Sequence, residues 1–389
     1  MEFLRGNQRG FVLGKMLSQT GVALPAKHHY IVLDGLRGVA SLMVVFFHLC
    51  EANNGGSRFK QVINHGYLAV DFFFLLSGFV IAYAYDDRWQ TMSQGQFYKR
   101  RLIRLHPMVI LGSLIGAALF YFGKGPDFPP IAQTSIPRLL LVMLIGCTLV
   151  PVTKALDIRG WGEMHPLNGP AWSLFFEYVG NFLYASGVRK LSHRALGVLV
   201  FLAALLMAHY AIFGSQGDLI GGWSITPTQL HIGFARLLFP FFAGILLMRL
   251  GRRIHMRGTF LPCSLLLMMA LSFPRLGGPT HLWENGLYEA LCVLLLFPLI
   301  VAMGAGESLA EGRSLRVARF FGDLSYPLYI THYPLVYLYT TWVVQSHASR
   351  TSAVLVGAAT SVAAITIAYA SLKLYDEPVR RWLSRKLLA

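Results

Sequence analysis

Charge is what this chain lacks. Only 13% of its 389 residues are Asp, Glu, Lys or Arg, about half the share of a soluble globular domain. That excludes a chain whose surface lies mostly in water. Cysteine is scarce too. Cys50, Cys147, Cys263 and Cys292 show no CxxC pairing and no metal spacing, so neither a disulfide framework nor a metal site is expected. All four lie in or beside apolar segments and read as buried free thiols. No internal repeat stands out, and nothing outside the apolar runs is long enough for a fused soluble domain. Residues 1 to 29 are polar and basic with no h-region, so no cleavable signal is expected. Acidic residues number 18 against 34 Lys and Arg, a net charge of +16. In an apolar chain that excess reports basic cytoplasmic loops rather than a nucleic-acid partner.

Hydrophobicity is what is present: 55% of the residues are apolar, with a mean hydropathy of +0.52. Runs able to cross a bilayer recur throughout. Spans are expected at 33–52, 66–84, 104–122, 171–187, 196–213, 232–250, 259–273, 287–304, 325–345 and 353–373. The fold class is therefore all-α, a polytopic transmembrane helical bundle with about ten crossings. An eleventh apolar segment, 137–153, is settled by charge. Arg5, Arg9, Lys15 and Lys27 favour a cytoplasmic N-terminus. If 137–153 does not cross, "VRKLSHR" (188–194), "RLGRRIHMR" (249–257), "GRSLRVAR" (312–319) and "YDEPVRRWLSRK" (375–386) all fall inside. The segment is accordingly read as re-entrant or peripheral, with Arg138, Lys154 and Arg159 left outside. Both termini are expected in the cytoplasm. The expected organisation is a cytoplasmic segment 1–29, a membrane domain 30–376 and a basic tail 377–389.

Ionisable groups inside such spans are costly and mark function. "LDGLRGVASLMVVFFH" (33–48) carries Asp34, Arg37 and His48. His48 lies about 16 Å along the helix from Arg37, close to three turns, so the two share a face. In "FYKRRLIRLHP" (97–107), Arg101 and Arg104 sit at i, i+3 on one face. Paired guanidinium groups suit phosphate in a way lysine does not. "GYLAVDFFFLLSGFVI" (66–81) places Asp71, Ser77 and Gly78 in an aromatic span. "NGPAWSLFFEYVGNFLY" (168–184) carries Trp172, Ser173 and Glu177. "HIGFARLLFPFF" brings Arg236, and "GDLSYPLYITHYPL" (322–335) brings Tyr326 and His332. Ser77 and Gly78 also suit plain helix packing, and His332 suits a core role equally well. The set fits an enzyme that takes an anionic donor from the cytoplasm. A transporter of an anionic solute or lipid-linked sugar would use similar groups, but paired interrupted helices are not found.

These motifs together resemble the acyltransferase 3 family of integral membrane acyltransferases, which includes O-antigen and exopolysaccharide O-acetyltransferases. The resemblance covers roughly residues 28 to 385. Arg37 and His48 match the family's Arg, ten residues, then His. Arg101 and Arg104 match its Arg-x-x-Arg element, "WSLFFE" its Trp-Ser-Leu-x-x-Glu element, and "SYPLYITHYPL" its late Ser-Tyr-x-Leu-Tyr-x-x-His-x-Pro element. The second-helix motif often begins with two glycines; here Tyr67 follows Gly66. The resemblance implies an acyl-CoA donor, usually acetyl-CoA, a carbohydrate hydroxyl as acceptor, no metal, and the bacterial inner membrane with its lipid as the setting. A small glycosylated metabolite is the alternative acceptor. Arg37, Arg101 and Arg104, with Asp34 as a partner, would hold the CoA phosphates. His48 would serve as general base or as acyl carrier, with Asp71 and Glu177 as supporting carboxylates. Glu177 would orient His48 or the acceptor. Trp172, Ser173, Ser77, Arg236, Tyr326 and His332 are the candidates for substrate contact. Loops 51–65, 154–170 and 214–231 are expected to face outward and meet the acceptor, with Trp161 and Trp223 available to stack on sugars.

Overall fold

The computed structural model describes residues 27, 29–307 and 312–388. Most of the expected N-terminal cytoplasmic segment, including Arg5, Arg9 and Lys15, lies outside the described residues. One compact unit begins at Ile31 and is helical, with no strand among the described residues. Its helices are α1 (Ile31–Asn53), α2 (Ala69–Tyr85), α3 (Gln94–Leu119), α4 (Pro129–Gln133), α5 (Ile136–Thr148), α6 (Ala171–Ser186), α7 (His193–Phe213), α8 (Pro227–Leu250), α9 (Phe260–Ser272), α10 (Leu282–Leu291), α11 (Phe297–Gly306), α12 (Arg313–Thr331), α13 (Tyr333–Ser346), α14 (Arg350–Ser371) and α15 (Glu377–Leu387).

Helix α1 sits at the centre, packed on α2, α9, α11, α12, α13 and α14, most extensively on α12. The other large contact joins α2 to α8. Two glycines explain how closely those helices approach. A Cβ on Gly78 would lie 1.9 Å from the Phe241 carbonyl oxygen, and one on Gly244 would lie 2.1 Å from that of Leu75. Small residues at matching positions let two backbones meet where lipid supplies no hydrophobic drive. Helices α7 and α14 are peripheral. Val198, Phe201, Leu202, Leu205, Val354, Leu355 and Val362 on them are exposed, as a lipid-facing belt requires.

Seven helical segments among the described residues are long and apolar enough to cross a bilayer, fewer than the expected ten. The expected spans 171–187 and 259–273 are helices of 16 and 13 residues, about 24 and 20 Å against roughly 30 Å of hydrocarbon. Helix α5 has 13 residues as well, too few to cross straight, which fits its reading as re-entrant or peripheral. Burial separates α5 from α9. Cys263, Ser264, Leu267 and Leu271 of α9 are buried in a helix that packs on α1. Only Leu139 and Val142 of α5 are buried, and it lies on α3.

Proline accounts for the remaining departures. The expected span 325–345 is two helices: α12 starts earlier, at Arg313, and gives way to α13 at His332. Pro334 has no N–H, so the Ile330 carbonyl loses its helical donor. The Asn168 Nδ2 group supplies one from 2.8 Å. Wide π-turns at Cys292–Leu296 and Leu372–Asp376 each lead into a helix whose second residue is proline, Pro298 and Pro378. A widened turn relieves the clash of the ring with the preceding carbonyl. The expected basic tail is thereby a helical continuation, α15, lying against α3.

Adding a methyl at Gly78 overfills the α2–α8 contact. Gly78→Ala is expected to cost about 1–3 kcal/mol, read as a lower melting temperature in detergent. Gly197→Ala, on α7 with open space around it, should melt like the wild type.

Candidate active site

Two cavities share a waist. The first, about 810 Å³ with its mouth, is lined by Arg37, Ser41, Ser77, Arg101, Arg104, Ser173, Glu177, Ser325 and Tyr326 among others. The second, about 1260 Å³ with its mouth, takes His48, Glu51, Tyr67, Trp161, Glu163, Trp172, Trp223 and Tyr333. Val70 and Tyr329 line both. Helix α1 passes from one to the other within a turn, since Ser41 faces the first and Val44 the second. Helix α6 does the same between Trp172 and Ser173. At the waist the Tyr329 hydroxyl and Ser173 Oγ are 2.7 Å apart.

The first chamber is an arginine cluster whose members differ in one respect. Arg37 pairs with Asp34 at 3.1 Å, and its Nε donates to Ser325 Oγ at 2.8 Å. Arg101 donates to Glu177 Oε1 at 2.7 Å, and Ser77 Oγ donates to the same oxygen at 2.9 Å. Arg104 is exposed in the chamber wall and holds no ion pair or hydrogen bond among the described residues. Its electrostatic neighbours are Arg37, Arg380, Asp34 and Arg101. A guanidinium among mostly cationic neighbours, with no carboxylate bonded to it, is a ready site for an anion. Tyr326 donates its hydroxyl to the Leu105 carbonyl at 2.5 Å, which fixes the ring in the wall.

The second chamber centres on His48. Its Nδ1 lies 3.0 Å from Glu51 Oε2. A carboxylate only accepts, so Nδ1 carries the proton and Nε2 is left as the basic nitrogen. The His48 ring meets Tyr333 edge-on at 4.7 Å and stacks on His332 at 5.7 Å between centroids. His332 is fully buried. Its Nδ1 faces the Leu328 and Tyr329 carbonyls at 3.0 and 2.9 Å, while Nε2 has no partner. His332 therefore supports His48 from behind, outside the chamber lining.

Two sequence expectations are corrected here. Glu177 does not orient His48. It lies in the other chamber, held by Arg101 and Ser77, because α6 changes chambers after Trp172. The carboxylate on His48 is Glu51, one turn further along α1. Its signal was present as the i, i+3 spacing in "HLCE". Asp71 is also not beside His48. It is fully buried and lines neither chamber. Arg236 grips it, with Nη2 to Oδ2 at 2.7 Å and Nε to both oxygens at 3.2 Å. Arg236 Nη2 also donates to the Tyr67 carbonyl at 2.7 Å, and Nη1 to that of Gly221 at 3.0 Å. Its guanidinium also lies 5.1 Å from the Trp172 ring centroid. This pair ties α2, α8, the turn before α2 and the 214–226 loop together. All three loops expected to meet the acceptor contribute to this chamber, through Gly55 and Gly56, Trp161 and Glu163, and Gly221 and Trp223. No cluster able to hold a metal ion occurs among the described residues.

A helical membrane body with a cationic chamber on one side of a waist and a histidine–carboxylate chamber on the other defines a membrane enzyme of group transfer. The comparisons name the group. The chain belongs to the acyltransferase family whose model, described as an acyltransferase domain, matches residues 30–373. It is similar to "Protein 2 in picA locus" of Rhizobium radiobacter, 35% identical over 192 residues that cover 47% of this chain and 96% of that protein. It is similar to the O-acetyltransferase OatA of Staphylococcus aureus, 23% identical over 80% of this chain, and spans 51% of the length of that protein. The acyltransferase MdmB of Streptomyces mycarofaciens is 25% identical over 78% of each chain. No solved structure matches. The protein is an integral membrane acyltransferase, and its relatives include O-acetyltransferases.

Removing one partner of the buried Asp71–Arg236 pair leaves an uncompensated charge, which costs about 3–5 kcal/mol. Asp71→Asn and Arg236→Gln are each expected to melt far below the wild type, while Asp71→Leu combined with Arg236→Met should recover much of the loss. If Asp71→Asn melted normally and lost only turnover, the pair would have a chemical rather than an architectural role.

Proposed function

We propose that the protein transfers an acyl group, in the first instance acetyl, from acyl-CoA in the first chamber to a hydroxyl of a carbohydrate in the second. The observation that carries this reading is the shared waist. Arg104 and the Arg37 and Arg101 pairs suit the donor phosphates, and Val70 and Tyr329 line both that chamber and the one that holds His48. A pantetheine arm would lie in the first chamber with its thioester at the Tyr329–Ser173 hydroxyls.

The chemistry then falls to His48. Its Nε2 takes the proton of the acceptor hydroxyl as that oxygen attacks the thioester carbonyl. A carbon–oxygen bond forms, the carbon–sulfur bond breaks, and the thiolate leaves and regains the proton as free CoA. Glu51 holds the imidazole in the required tautomer and stabilises the imidazolium that forms. His48 as transient acyl carrier is the variant of this route, with the acyl group passing through Nε2. The basic loops support a donor side in the cytoplasm, with both termini there, in the inner membrane of a bacterium. Support for a carbohydrate acceptor comes from the aromatic lining of Trp161, Trp172 and Trp223, and from the O-acetyltransferases among the relatives.

Two measurements test the assignment. His48→Gln keeps a hydrogen-bonding side chain but no basic nitrogen. It is expected to lower kcat about 10²–10⁴-fold with acetyl-CoA affinity unchanged; near-normal turnover would remove His48 from the mechanism. Arg104→Ala is expected to weaken acetyl-CoA roughly ten- to hundredfold, the worth of a charge-assisted hydrogen bond, and to leave acetyl-pantetheine unaffected. Equal loss for the two donors would mean that Arg104 holds the helix rather than the nucleotide phosphates.

A further inference from the structure

Between α5 and α6 one side chain organises a turn. Asp157 Oδ1 accepts the N–H groups of Arg159 and Gly160 at 3.1 and 2.9 Å, and Oδ2 accepts that of Gly162 at 2.8 Å. Gly160 and Gly162 have φ of 81° and 71°, where glycine alone is unstrained. The turn is tied to its surroundings as well. Met164 N–H donates to the Trp223 carbonyl at 2.7 Å, and Val152 N–H to that of Met164 at 2.9 Å. A loop this heavily bonded is a mount rather than a tether.

It carries two residues into the second chamber, Trp161 and Glu163. Trp161 is 37% exposed and meets the Tyr337 ring edge-on. Glu163 is 8% exposed. Its Oε2 accepts the Tyr337 hydroxyl at 2.5 Å, and the Tyr337 oxygen in turn accepts the Gly169 N–H at 3.1 Å. Arg159 lies 3.5 Å over the Tyr337 ring centroid, close enough to favour the anion without bonding to it. Glu163 Oε1 has no protein donor among the described residues. A buried carboxylate is tolerated where its lone pairs are met; Oε1 lies beside Gly169, which lines the chamber together with Glu163. Across it stands Glu51, the partner of His48. The chamber's one guanidinium, Arg236, is already neutralised by Asp71.

We propose that Glu163 and Trp161 form an acceptor subsite, in which Glu163 Oε1 accepts a hydrogen bond from a hydroxyl of a neutral sugar ring lying on Trp161, and that Glu163 with Glu51 repels acidic sugars. The proposal rests on reading the second chamber as the acceptor site. An aromatic face beside a fixed carboxylate matches a sugar's apolar face and its rim of donors. The donor chamber, lined by arginines, has the opposite preference, so each ligand is steered to its own side of the waist.

The test is tryptophan fluorescence of the full-length protein in detergent at pH 8. Burial pushes Glu163 up to about 7, so the carboxylate form prevails there. Maltotriose and cellotriose are titrated against trigalacturonate, with acetyl-CoA as a separate arm. The wild type is expected to bind at least one neutral trisaccharide saturably and at least tenfold more tightly than trigalacturonate. Glu163→Gln preserves the shape and the Tyr337 contact. It should weaken the neutral sugar roughly ten- to hundredfold and narrow the gap to the acidic one, with acetyl-CoA affinity and melting temperature unchanged. Should that variant not fold, Trp161→Ala at an exposed position should weaken the neutral sugar in the same way. No saturable sugar signal, no discrimination by the wild type, or a folded variant that binds like the wild type overturns the subsite. Failure of the wild type to bind acetyl-CoA overturns the donor reading instead, and the sugar titrations still decide the subsite.

Discussion

The Asp71–Arg236 pair is the interaction on which the rest of this structure depends. A guanidinium with almost no exposure, in a chain built for lipid, needs acceptors around it or the helix that bears it will not stay buried. Arg236 sets each of its three nitrogens against an acceptor, in Asp71 and in the carbonyls of Tyr67 and Gly221. Those acceptors come from α2, from the turn preceding it and from the loop between α7 and α8. Satisfying one side chain of α8 therefore fixes the α2–α8 approach, which Gly78 and Gly244 make sterically possible, and brings Gly221 to the second chamber, with Trp172 packed against the neighbouring Gly222.

With that frame in place, the protein gives its two chambers different chemistry. Arginines, two of them paired with carboxylates, line the chamber at one end of α1, His48 with Glu51 and Glu163 lines the other, and Val70 and Tyr329 line both. Most cations in the first chamber are already paired, Arg37 with Asp34 and Arg101 with Glu177. Such pairing lets several arginines coexist in a partly buried space, where unpaired like charges would repel. Arg104 remains as the arginine lining that chamber with no ion pair or hydrogen bond among the described residues, and Arg101 keeps an unpartnered Nε. On the other side the same economy applies in reverse: Tyr337 satisfies half of Glu163, and Glu51 satisfies one nitrogen of His48.

Local periodicity decided a good deal of this before any fold was considered. The apolar runs specify helices because backbone groups in lipid must bond within their own segment. The spacing of Arg37 and His48, and of Arg101 and Arg104, puts each pair on one face because a helix turns once every 3.6 residues. The His48–Glu51 contact obeys the same rule and was equally legible. Crossing number was less so. Apolar content at 171–187 and 259–273 does not reveal that the helices there are short, and the break at His332 depends on where Pro334 sends the freed Ile330 carbonyl.

By itself, then, the sequence determined an all-α membrane body and the faces on which arginine and histidine stand. Only the tertiary structure decided who partners whom. Asp71, Glu177 and Glu163 are all carboxylates in or beside apolar sequence, and nothing local distinguishes them. Packing gives the first to Arg236, 165 residues away, the second to Arg101, 76 residues away, and the third to Tyr337, 174 residues away. The physical reason is that helical periodicity fixes directions within an element, whereas a charge removed from water takes its identity from whichever distant donor the packing brings within about 3 Å.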